Sequence, residues 1–137
     1  MTDENRNANL RDELGRAEQA LQAADALLGL GLHNDSVSRS YYAVFHFLCA
    51  LLLTRGVEPR THAGAIHLFN VELVRTSIFP STHNRLLARL QRARELADYD
   101  SAVMFSEPDA RAELDDARRF GVEAKAYLER EGWIPSA

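Results

Sequence analysis

Two segments near opposite ends of the chain carry the same apolar spacing, and that spacing dictates helix. In the first, Leu10, Leu14, Ala17, Leu21, Ala24 and Leu28 follow at intervals of 4, 3, 4, 3 and 4. In the second, Ala110, Leu114, Ala117, Gly121, Ala124 and Leu128 repeat those intervals. A helix turns once in about 3.6 residues, so each set falls on one narrow stripe. A strand would scatter it over both faces. Asp12, Glu13, Arg16 and Glu18 occupy the other faces of the first helix. Gly29 and Gly31, flanking Leu30, end it. Ser106, Pro108 and Asp109 open the last helix as cap and first turn, and Gly132 and Pro135 close it.

Neither stripe can stay wet, so both helices need partners from the middle of the chain. Asn34, Asp35 or Ser36 is expected to cap a second helix that runs to about Arg55 and stops at Gly56. Within it, Tyr41 to Leu53 is apolar except for His46, over 13 residues. That is too short to span a bilayer. A helix with no wet face is either central or covered by a second copy of the chain. After Pro59, Thr61 caps a short helix with Ala65, Leu68, Phe69 and Val71 to Val74, ending before Pro80. Ser81 or Thr82 caps a fourth helix with Leu86, Leu90, Ala93 and Ala97 inside. Its outer face is expected to carry Arg85, Arg89, Arg92 and Arg94. Tyr99 to Phe105 reads as a connection. The expected fold is all-α: an up-and-down antiparallel bundle of four long helices plus a short helix, one domain over residues 1–137 with its core at about 8–130.

Composition agrees and excludes several classes. There are 20 Ala and 19 Leu against 15 Val, Ile and Thr together, a bias toward helix. One Cys leaves no disulfide framework and no Cys-based metal cluster, and fits a reduced compartment. A net charge of -4 argues against a general nucleic-acid coat while allowing a local basic face. Residues 1–9 are polar rather than apolar, so no signal peptide is expected. The expectation is a cytoplasmic protein with no membrane association.

The densest chemistry lies in Ser38-Arg39-Ser40-Tyr41-Tyr42-Ala43-Val44-Phe45-His46. Arg39, Tyr42 and His46 stand at i, i+3 and i+7, one helix face. A cation, a phenol and an imidazole together suit phosphate binding and proton transfer, with Arg39 and His46 as candidate catalytic groups and Tyr42 as a binding group. The alternative is a buried polar network in which Arg39 pairs with a carboxylate such as Asp98. Arg85, Arg89 and Arg92 share a face of the fourth helix and suit phosphate contact, or pairing with the acidic last helix. His62 and His67, five apart, lie on different faces, and no His-x-x-x-His pair exists, so no metal site is expected. There is no Gly-x-Ser-x-Gly and no Gly-rich loop, and no cofactor is expected. Cys49 reads as a small core residue.

That run resembles the HEPN family of small prokaryotic helical domains. The likeness continues through Gly56-Val57-Glu58-Pro59, Thr61-His62, Phe69-Asn70, Phe79-Pro80 and Arg94-Glu95-Leu96-Ala97-Asp98-Tyr99. The resemblance implies a bundle of about four long helices forming a two-fold homodimer. It implies a nucleotidyltransferase protein as partner in a toxin–antitoxin pair, and RNA or a nucleotide as ligand. Toxic members resemble metal-independent endoribonucleases that carry Arg, four to six residues, then His. Arg39 and His46 match that spacing. Three functions follow: a binding module, a ribonuclease toxin using Arg39 and His46, or a plain helical adaptor.

Overall fold

The computed structural model describes residues 2–136. It is the expected all-α bundle, and no strand occurs among the described residues. The helices are α1 (Asp3–Gly29), α2 (His33–Leu53), α3 (His62–Phe69), α4 (Thr82–Tyr99) and α5 (Glu107–Arg130). α3 continues as a single π-helical turn over Asn70–Val74.

Several ends are set by the residues expected to set them. Ser106 Oγ accepts from the Asp109 N–H at 3.2 Å. Thr61 Oγ1 accepts from the Gly64 N–H at 2.9 Å. Gly31 and Gly56, with φ of 77° and 72°, take the left-handed conformations that reverse the chain after α1 and α2. The start of α2 differs from expectation. The helix opens at His33 after Leu32, so Asn34, Asp35 and Ser36 lie inside its first turns. Two of their side chains make tertiary bonds rather than caps. Asn34 donates to the Val103 carbonyl at 2.9 Å and accepts from the Phe105 N–H at 2.9 Å. Ser36 Oγ donates to the Ala24 carbonyl at 2.7 Å. The α1–α2 turn is thereby pinned to the α4–α5 connection.

The core centres on α2, which packs against each of the other four helices. Leu48 and Leu51 to Leu53 are all buried, and so is every member of the α5 stripe. Ala17, Ala20 and Ala24 on α1 face α2, and such small side chains let the two helix axes approach closely. The second helix is therefore central, with its cover supplied by its own chain. It is also the one described helix long and apolar enough to cross a membrane, yet 78% of that apolar window is buried inside the bundle. That is the pattern of a core helix.

Candidate functional site

Arg39, Tyr42 and His46 come together on α2 beside α1, and each is held differently. His46 Nδ1 lies 2.7 Å from Glu13 Oε2 on α1. A carboxylate only accepts, so Nδ1 carries the proton of this bond and Nε2 faces other chemistry. Arg39 departs from the buried-network alternative. It is exposed and has no bond to Asp98. Its guanidinium instead sits over the Tyr42 ring, 4.6 Å from the centroid. Asp98 is taken by its neighbour on α2, since Ser38 Oγ donates to Asp98 Oδ2 at 3.2 Å. Position 38 faces α4, whereas position 39, about 100° further round the helix, faces water and α1. A hydrated guanidinium needs no carboxylate there. A depression of about 490 Å³ joins the three residues to α1, floored by Ala20 and Ala23 and walled also by Arg16.

Across Tyr42 lies a second cluster that periodic reading missed. Arg94 does not share the outer basic face of α4. It is 8% exposed. Leu87, Leu90 and Arg94 stand at i, i+3 and i+7, and that spacing is the signal that places Arg94 on the inner stripe. Its guanidinium lies 5.2 Å from the Tyr41 ring centroid, 5.8 Å from Tyr42 and 5.7 Å from Tyr99. Nη1 donates to Tyr99 Oη at 3.2 Å and lies 3.9 Å from Asp98 Oδ2. The buried charge is thus met by ring faces, a phenol oxygen and a distant carboxylate.

His62, at the start of α3, completes this cluster. Its ring stacks on Phe45 at 4.2 Å, and its Nδ1 is 2.6 Å from Tyr41 Oη. Burial pushes the Tyr41 phenol up to about 12, against the opposing pull of the Arg94 cation. Burial also depresses the His62 imidazole below its ordinary value, and the charges of Arg94 and His46 add to that. Both groups are therefore neutral near pH 7, and the Tyr41 O–H donates to His62 Nδ1. Helical spacing alone does not place His62 rather than His67 against Tyr41. Only the fold, by laying the cap of α3 against Phe45, does so.

The arginine row of α4 divides. Arg89 bonds to Glu113 and to Asp116 on α5, clasping the two helices. Burial raises the Glu113 carboxyl, with Arg89 opposing. Arg92 lies 3.9 Å from Glu95, and Arg85 is exposed. This row stands apart from the Arg39–Tyr42–His46 face. Among the described residues, no three His, Cys, Asp or Glu side chains gather as metal ligands.

Comparison with known proteins agrees with this architecture. The HEPN domain family profile matches residues 10–127. A UPF0332 protein of Gloeobacter violaceus is 38% identical over 119 residues, covering 86% of this chain and 94% of its own. A Methanocaldococcus jannaschii protein provisionally named as a toxin is 36% identical over 97 residues, 68% of this chain and 72% of its own. The crystal structure of TT1696 from Thermus thermophilus superposes with a TM-score of 0.72 at 22% identity, over 85% of this chain and 96% of that one. The central α2 bundle and these matches together make the chain a member of the HEPN domain family.

Proposed function

We propose that this HEPN domain is a cytoplasmic RNA- or nucleotide-binding module of a toxin–antitoxin-type pair, working as a homodimer with a nucleotidyltransferase protein as its partner. The observation that carries the ligand reading is Tyr42, whose ring has the Arg39 guanidinium at 4.6 Å and the Arg94 guanidinium at 5.8 Å. Aromatic faces stack on bases and arginines meet phosphates, a combination suited to single-stranded nucleic acid. The relative provisionally named as a toxin supports the toxin-type setting. Fluorescence anisotropy with a labelled single-stranded RNA tests the ligand. Binding should weaken in Tyr42→Ala and fall with added salt, and wild-type protein that leaves the RNA free removes the reading. Light scattering near 15.4 kDa over micromolar concentrations would remove the homodimer.

A second reading is favoured by the Glu13–His46 bond. An imidazole held at Nδ1 presents Nε2 to a ribose 2′-hydroxyl, while Arg39 meets charge developing on phosphorus. That is the chemistry of a metal-independent endoribonuclease leaving a cyclic phosphate. Cleavage of mixed RNA should survive a chelator and be lost in His46→Ala while His83→Ala retains it. Equal cleavage by wild type and His46→Ala would end this reading and leave the binding module.

A further inference from the structure

Three acids of α1 that flank this face are paired. Glu13 is held by His46, Glu18 by Lys125 at 2.7 Å, and Asp25 by Arg118 at 3.1 Å. Arg16, between them on the same helix, has no carboxylate within ion-pair distance among the described residues, and neither does Arg39 opposite it on α2. Both guanidiniums are exposed and line the same depression, together with His46, Tyr42, Gln19, Ala20 and Ala23. Two arginines with no ion pair, lining one depression, leave room and charge for one tetrahedral anion.

We propose that Arg16 is the second phosphate-binding residue of this site. One phosphodiester group of single-stranded RNA then lies between Arg16 of α1 and Arg39 of α2, with an adjoining base against Tyr42. The proposal rests on the RNA-binding reading above and names the half of the site that α1 contributes. Two guanidiniums on separate helices grip a phosphate from two sides, which one arginine on a single helix face does not achieve. Glu13, Glu18 and Asp25 are engaged elsewhere, while Asp12, one turn before Arg16, lines a neighbouring depression that Arg16 also borders and makes no ion pair with it.

The test measures the affinity of the full chain for a short labelled oligouridylate across a salt series. Arg16→Ala should weaken binding roughly fivefold, as loss of one exposed charge contact does. It should also reduce the slope of log affinity against log salt by about 0.7, the value of one phosphate contact on a single strand. Arg111→Ala, which removes an arginine paired with Glu107 on α5, should leave both quantities unchanged. Circular dichroism confirms that each variant is folded. If Arg39→Ala loses affinity and slope while Arg16→Ala keeps both, the proposal is overturned and the RNA-binding reading stands. If the wild-type chain binds no oligouridylate, that reading falls and takes the proposal with it.

Discussion

The ring of Phe47 on α2 rests directly on Gly121 of α5, so closely that a Cβ at position 121 would stand 2.6 Å from Phe47 Cε2. Gly121 belongs to the apolar stripe of α5, and its missing side chain is what lets the central helix seat there. Gly121→Ala gains roughly 0.5–1 kcal/mol of helix propensity. It loses about 1–3 kcal/mol by overpacking, because a buried aromatic ring has little space to retreat. The net effect should be destabilising, by about 1 kcal/mol or more in urea unfolding. Gly15, in the interior of α1 with nothing near it, is the control, and Gly15→Ala should stabilise the protein by roughly 0.5–1 kcal/mol. A Gly121→Ala chain as stable as wild type would mean that Phe47 does not pack as described.

Arg94 and Arg39 should respond unequally to truncation. Arg94 is buried among Tyr41, Tyr42 and Tyr99, and its removal leaves a cavity and a half-paired Asp98. Arg94→Ala should cost about 2–4 kcal/mol of folding stability. Exposed Arg39 should cost no more than about 0.5 kcal/mol. Denaturant midpoints of the two variants, measured side by side, check the ordering, and equal midpoints would contradict it.

The depressed pKa of His62 makes stability depend on pH. An ordinary His titrates near 6.5, and in the folded chain burial, Arg94 and His46 hold the proton off to lower pH. Below about 6.5 the unfolded chain therefore binds more protons than the folded one. By linkage, stability rises with pH in that window and is lost as pH falls through it. His62→Gln should flatten this part of the profile. Urea titrations of both proteins between pH 7 and pH 5 provide the comparison, and parallel profiles would show that His62 ionises freely.

Tyr41 should ionise well above the ordinary phenol range. The chain has four tyrosines, and burial pushes this one up to about 12. Above pH 10 the unfolded chain releases the proton first, so stability falls as pH rises from 10 toward 12. Ultraviolet titration of the folded protein should show one late phenol that disappears in Tyr41→Phe.

Much of the fold was legible because its signals are periodic. The α5 stripe is buried as read, and Ser106 and Thr61 cap as read, since an oxygen immediately before an apolar repeat has an N–H within reach. Asn34 and Ser36 offered the same local signal but spent their side chains on Val103, Phe105 and Ala24. A short polar side chain serves a cap or a distant carbonyl equally well, and chain order alone does not choose. Arg94 was read by charge rather than by angle, although Leu87 and Leu90 already marked its stripe. The α2 face of Arg39, Tyr42 and His46 was visible from spacing. Its α1 complement, Glu13 and Arg16, was not, because the sequence does not set the rotation of one helix against another.

Five residues of the candidate site belong to a single helical hairpin, with Arg94 of α4 reaching Tyr42 from outside it. α1 and α2 are joined by residues 30–32 alone, and Ser36 ties back across that turn to the Ala24 carbonyl. Closing so short a loop costs little entropy, and contacts between sequence neighbours form early in folding. Glu13, Arg16, Arg39, Tyr42 and His46 all reside in this hairpin. Their arrangement therefore depends chiefly on how α1 packs on α2. Substitutions on the outer faces of α4 and α5 should therefore leave the hairpin's surface unchanged.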